Sequence, residues 1–343
     1  MRLFAIAPDQ AFLPALARGT LARLGTGEAL AAATLLLPTR RAARALQAAF
    51  LREAEAPALL LPRMRALAGL STEDADELAL PALLRLPPAV DALRRQAVLA
   101  GFASRLPRDM GGPASAEHAW ALGLELGKLL DEIALEEAEI LPDDPALLGH
   151  RWLERLEALA PESLAVHWQI TTTFLRAIVV EWQGWLTGQG LLDIGVRRVL
   201  ALRAQRVAWE DAPPAGAVIA AGIGMGGTVP AAADLLRVIA TRLPQGFVVL
   251  PAEDRATAAL PWEALREAPT HPYAGQRAML DRMGATLADA APLGGGRAGG
   301  DFRIAGHGHA ARGPSRPLAK AGARALAGAA RRPQPHRGER RAA

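Results

Sequence analysis

The chain has 343 residues, 51% of them hydrophobic and 22% charged, enough apolar material for one large domain or two to three smaller ones. It contains no cysteine, which excludes disulfides, thiolate-bound zinc, cysteine-ligated iron–sulfur clusters and cysteine nucleophiles for this sequence. The net charge of +4 is uneven: residues 291–343 hold 11 of the 39 Lys/Arg and 2 of the 35 Asp/Glu, so residues 1–290 are net acidic.

The first elements alternate in type. LFAIA (3–7) is a short apolar strand. FLPALARGTLARLG (12–25) has helical spacing, with Leu13, Leu16, Ala17, Leu21 and Leu24 near one face. ATLLLP (33–38) is a buried strand by length and composition, and Thr39 then offers a cap to the helix RRAARALQAAFLREAEA (40–56), with Leu46 and Phe50 inward. ALLLP (58–62) is expected as a third buried strand. Strands separated by helices predict a parallel sheet covered on both faces.

From about Glu73 to Arg206 strand signals vanish and amphipathic helices take over. The clearest is HAWALGLELGKLLDEIALEEAEI (118–140), with Trp120, Leu124, Leu126, Leu130 and Ile133 available for burial. HRWLERLEAL (150–159) and HWQITTTFLRAIVVEWQGWLTGQG (167–190) follow, and Trp152, Trp168, Trp182 and Trp185 read as helical core. Asp131, Glu132, Glu136 and Glu137 read as a solvated acidic face, the alternative being a metal site. No H-E-x-x-H and no other clustered His/Asp/Glu set stands out, and His118, His150 and His167 carry no motif.

At Ala212 strands return, with GAVIAAG (216–222) and GFVVLP (246–251) flanking the helix VPAAADLLRVIATRLP (229–244). Between them Gly222, Gly224 and Gly227 stand at the spacing G-x-G-x-x-G. Such glycines let a pyrophosphate approach a helix N-terminus, with Glu253 or Asp254 placed for a ribose, so NAD(P) binding is one reading. A tight turn between strand and helix is the other. After about Ala291 periodicity dissolves into Gly, Pro, Ala and Arg. That composition suits a disordered basic tail able to bind nucleic acid, or a shifted reading frame of GC-rich DNA, and the abruptness of the change favours the second. No segment approaches the roughly 20 apolar residues of a membrane span, and the N-terminus lacks the basic and apolar regions of an export signal. A cytoplasmic protein without membrane contact is expected.

The most informative stretch is TLLLPTRRAARALQAAFL (34–51). A buried strand ends in Pro-Thr, and a helix starts with Arg40, Arg41 and then Arg44. Unpaired N–H groups at the helix start and arginine donors suit a nucleic-acid phosphate; a solvated basic face is the plain alternative. Together with ALLLPRMRALAGL, the acidic STEDADELAL, and the later phrases HWQITTTFLRAIVVEWQGWLTGQGLLD, GAVIAAGIGMGGTVPAAADLLRVIATRLPQGFVVLPAED and HPYAGQRAMLDRMG, this stretch resembles the N-terminal region of the AddB family of alphaproteobacterial type. The resemblance runs from about residue 3 to 287, in family order.

That family supplies a subunit of AddAB helicase–nucleases, which resect DNA ends in double-strand break repair for homologous recombination. The resemblance implies a RecA-like, superfamily 1 helicase-like α/β domain (1–72 and 207–290), an α-helical insertion (73–206) and a basic tail (291–343). It implies an AddA-type helicase–nuclease subunit and DNA as partners. Thr39, Arg40, Arg41 and Arg44 then take the place of a helicase segment that touches single-stranded DNA. The loop 7-APDQAF-12 takes the phosphate-loop place, yet no G-x-x-x-x-G-K-[ST] occurs in the chain. The loop at 222–227 lies where a helicase carries its acidic magnesium residue, but supplies no carboxylate. This resolves the glycines toward a turn. The family's nuclease domain and iron–sulfur cysteines are not present, so a non-catalytic fragment is expected, with ATP, magnesium and an iron–sulfur cluster belonging to the wider complex or to missing parts.

Overall fold

The structure, a computed structural model, describes residues 1–56, 58–67, 86–108, 112–136, 154, 165–224, 229–268 and 270–293. Its centre is a six-stranded parallel sheet. In chain order the strands are β1 (Leu3–Ile6), β2 (Thr34–Leu37), β3 (Arg63–Ala66), β4 (Val218–Ala221), β5 (Gly246–Pro251) and β6 (Ala291–Pro292). Across the sheet they lie β3-β2-β4-β5-β1-β6. The register places Leu3 beside Val248, Thr34 beside both Arg63 and Val218, and Ile219 beside Phe247.

Side chains leave a strand alternately to either face, and here both faces are dry. Ile219 and Ala221 of β4, Leu35 and Leu37 of β2 and Val249 of β5 share one core with α1 (Phe12–Leu24) and α3 (Arg40–Glu53), which follow β1 and β2. The short α2 (Glu28–Ala31) joins α1 to β2. Val218, Ala220, Leu36, Val248 and Leu250 point the other way, into a larger core. Leu35, Leu36 and Leu37 have no exposed surface, and each such burial is worth about 1.5–3 kcal/mol.

Between β3 and β4 the chain forms α4 (Ala92–Ser104), α5 (Ala116–Glu136), α6 (Ala165–Gln189) and α7 (Ile194–Asp211). After β4 comes α8 (Pro230–Thr241), with the expected proline in its first turn. After β5 come α9 (Arg255–Ala258), α10 (Trp262–Glu267) and α11 (Ala274–Met283). Leu99, Leu126, Leu175, Trp182 and Val199 from α4 to α7 belong to the same continuous core as Leu3, Leu36 and Val218 of the sheet. No helix among the described residues is long and apolar enough to cross a membrane.

A buried ion cluster ties four helices together. Arg95 of α4 donates through Nη2 and Nε to the two oxygens of Asp193, at 2.8 and 3.2 Å, and through Nη1 to Asp131 of α5 at 3.1 Å. Trp182 Nε1 of α6 donates to Asp193 at 2.7 Å, and the Gly195 N–H donates to it at 3.1 Å, so Asp193 also caps α7. Trp182 stacks on Trp185, with ring centroids 5.3 Å apart.

Four expectations need correction. The third strand is the charged RMRA rather than ALLLP 58–62, because an edge strand can leave Arg63 in water while Ala66 enters the core. The body does not stop at 290: Ala291 and Pro292 pair with Phe4 and Ala5, and the buried Leu293 donates its N–H to Ala5 O at 3.1 Å. Two residues, one of them proline, carry no periodicity that could have announced a strand. On α5, Leu126, Leu130 and Ile133 are buried as expected, but Trp120 and Leu124 are 43% and 46% exposed. Asp131 is not on a solvated face, since Arg95 holds it. Residues 294–343 with the rest of the basic tail, most of 150–159, Glu137, and the side chains of His167 and Trp168 lie outside the described residues.

Candidate nucleic-acid interface at the carboxyl edge of the sheet

In an open parallel sheet, ligands sit beyond the carboxyl ends of the strands, where neighbouring strands send their helices to opposite faces. That condition is met twice. The neighbours β2 and β4 lead to α3 on one face and α8 on the other. The neighbours β1 and β5 lead to α1 on one face and to α11 on the other. Residues 7–11, 38–39, 222–224 and 252–254 therefore share one edge of the sheet.

Thr39 is extended, at φ −144° and ψ 158°, and its Oγ1 accepts the Ala42 N–H at 3.1 Å. This cap fixes where α3 begins and hence where its first-turn arginines stand. Thr39, Arg40, Arg41 and Arg44 are all exposed, while Ala43, Leu46, Ala49 and Phe50 on the other side of α3 are buried. The four residues expected to act together are thus at one site, on the first turns of one helix at the carboxyl edge. No acidic residue stands in that first turn.

The phosphate-loop place is built differently from a nucleotide cradle. Gln10 N–H turns back to Ala7 O at 3.0 Å, and Ala11 starts α1 with no side-chain cap. Phe12 follows, and its ring lies 3.2 Å from where a Cβ on Gly222 would stand, with Pro38 at 3.6 Å. Gly222, at φ +66°, is thus covered by the chain's own side chains. Gly224, at φ +108°, is approached in the same way by Met279 Sδ at 3.1 Å and Gln276 Cα at 3.2 Å of α11. Both positions need glycine for their left-handed backbone and for this packing. Gly227 lies outside the described residues.

The two carboxylates after β5 are also engaged. Glu253 is buried and receives a fork from Arg277, Nε to Oε1 at 2.7 Å and Nη2 to Oε2 at 2.6 Å. Arg277 further donates to Leu260 O and Thr257 O, at 2.8 and 2.6 Å. Asp254 caps α9, accepting from Thr257 N–H at 2.8 Å, and that hydrogen bond holds its carboxyl below the usual range. Gln276 is fully buried, donates Nε2 to Pro251 O at 2.9 Å, and leaves Oε1 without a partner. With no lysine in loop 7–12, Phe12 over Gly222 and Glu253 tied to Arg277, these residues do not fit ATP with its magnesium. Among the described residues no three His, Asp or Glu side chains gather as a metal site.

The fold and this edge define a doubly wound parallel α/β protein with an exposed arginine turn at its carboxyl edge. No protein-family model matches the chain. No curated protein is significantly similar to it.

Proposed function

We propose that the chain is an N-terminal part of an AddB-type subunit and engages DNA without catalysing its cleavage or hydrolysing ATP. In that role it serves end resection in double-strand break repair, as a scaffold beside an AddA-type helicase–nuclease subunit in the cytoplasm. The reading is supported by the phrases that resemble the family. It is also supported by a parallel sheet whose chain forms helices between β3 and β4, as a RecA-like domain with a helical insertion would.

One observation carries the DNA-engaging part. Arg40, Arg41 and Arg44 are exposed on the first turns of a helix capped by Thr39, at the edge where such folds bind ligands. Guanidinium forks and first-turn N–H groups are both phosphate donors, and contacts of this kind position a strand without reading its bases.

The test is fluorescence anisotropy of the full chain with a labelled oligothymidylate over a salt series. Arg40→Ala with Arg41→Ala should weaken binding and flatten the slope of log K against log salt by roughly 1.4, about 0.7 for each single-strand phosphate that an arginine no longer neutralises. An unchanged slope would reject the assignment. DNA-stimulated ATP hydrolysis by the pure chain would reject the non-catalytic role.

A further inference from the structure

At the amino end of the sheet, opposite the arginine turn, the surface holds a hollow. α1 follows β1 and runs back along the sheet, so its last turn, with Arg23 and Leu24, lies beside the first residues of β1, β4 and β5. Phe4 pairs in register with Val249, which sets its side chain on the same face as that of Phe247, two residues earlier. The two rings meet edge to face, with centroids 5.4 Å apart. With Leu24 and Ala217 they give the hollow an apolar lining, and its volume is about 240 Å³. Arg2 and Arg23 also line it, and no Asp or Glu does.

The two arginines differ in what they have left to donate. Arg2 donates through Nη1 and Nη2 to the carbonyls of Pro244 and Leu243. Arg23 is exposed, and its guanidinium lies over the Phe4 ring, with Cζ 4.1 Å from that centroid and 5.8 Å from the centroid of Phe247. Among the described residues no carboxylate, carbonyl or hydroxyl accepts a hydrogen bond from Arg23. The Phe4 ring therefore holds this cation in place while its N–H donors stay open. A guanidinium set in this way is a ready fork for a carboxylate.

We infer that this hollow is the docking point for a partner polypeptide that presents an apolar side chain beside an Asp or Glu. Size decides for a polypeptide anchor over a free ligand. Whole small-molecule pockets run to about 300–1,000 Å³, while this open hollow takes one side chain. Charge decides for the acid: both ionic groups of the lining are cations, and a neutral neighbour would leave the Arg23 donors unused. A nucleotide fits less well, because Arg23 covers Phe4 and Phe247 is buried, so a base finds no open ring to stack on. The hollow lies at the other end of the strands from Thr39 and the α3 arginines, and the inference does not depend on DNA binding there.

The experiment is saturation-transfer NMR of the full chain with three capped dipeptides: N-acetyl-Leu-Glu amide, its uncharged counterpart Leu-Gln, and Ala-Glu, which lacks the apolar body. One side chain and one ion pair give a Kd on the order of 1 mM, within reach of this method. Leu-Glu should bind at least about fivefold more tightly than either of the others, a difference of about 1 kcal/mol. Arg23→Gln should erase the preference for Leu-Glu over Leu-Gln, and Arg23→Lys, which keeps the charge without the fork, should fall between. Arg18→Gln, on the same helix but paired with Glu53, should leave the preference unchanged. Equal binding of Leu-Glu and Leu-Gln, a preference that survives Arg23→Gln, or no saturation of any dipeptide would overturn the inference. Micromolar binding of free 3-phenylpropionate would make the hollow a small-molecule site, and displacement of Leu-Glu by an equal concentration of thymidine monophosphate would make it a nucleotide site. Either result would also overturn it.

Discussion

Asp193 carries more of the fold than its short side chain suggests. It accepts from Arg95, Trp182 and the Gly195 N–H, joining α4, α6 and α7 at one carboxylate. Removing one partner of a buried ion pair leaves the other charge stranded, so Asp193→Ala should cost about 3–5 kcal/mol in urea denaturation. Its titration has a definite sign. Burial lifts the carboxyl above the usual range, and the Arg95 guanidinium lowers it by less. The folded chain therefore keeps a proton at pH values where the unfolded chain has released it. Stability from this group is greatest below the ordinary carboxylate range and falls as pH rises toward the folded value. Over a pH series of urea midpoints, the unsubstituted chain should lose stability relative to Asp193→Asn as pH rises above the ordinary carboxylate range. A difference between the two proteins that does not change with pH would refute it. No sequence pattern announced the cluster. Asp131 looked like one of four acids on a wet helix face, because its partner Arg95 lies on another helix, across a separation that periodicity cannot see.

At the scale of elements, two glycines in helices make opposite demands. A Cβ on Gly19 in α1 would stand 2.7 Å from Leu293 Cγ and 2.9 Å from Leu293 O, where β6 closes against β1. Gly19→Ala should therefore push β6 away and destabilise by about 1–3 kcal/mol. A Cβ on Gly101 in α4 would meet nothing within 4 Å. Gly101→Ala should stabilise by about 0.5–1 kcal/mol through helix propensity alone. Thermal melts of the two variants check the pair, and shifts of equal sign would contradict this packing. The strong strands β1, β2, β4 and β5 and helices α1, α3 and α8 were legible, since long apolar runs and caps are local signals. The edges were not. β3 is charged because, among the described residues, one side of it has no neighbour, and β6 is two residues whose pairing depends on Phe4 and Ala5. At the candidate site, Thr39 and its arginines could be read from the chain. Phe12 over Gly222 could not, because the two are distant in sequence and meet only when the sheet forms.

The larger of the two cores joins the helices between β3 and β4 to the sheet. Trp182 and Val199, from the helices between β3 and β4, lie in the same continuous apolar cluster as Leu3, Leu36 and Val218 of the sheet. Helices and sheet should therefore unfold together. Tryptophan fluorescence, weighted toward the helices by Trp182 and Trp185, and far-ultraviolet circular dichroism should give coincident urea transitions. Two separated midpoints would show that the helices form a unit of their own.

The order of the strands also governs how the protein is made. Of the six strands β1 is translated earliest, but its two neighbours are β5 and β6, at residues 246–251 and 291–292. At roughly 5–20 residues per second, Leu3, Phe4 and Ile6 wait on the order of 10–50 s before either partner strand has been translated. Through that interval an apolar strand stands with both edges unpaired. Nascent chains of this protein should lean on holding chaperones during synthesis, and cells lacking them should accumulate it in aggregates.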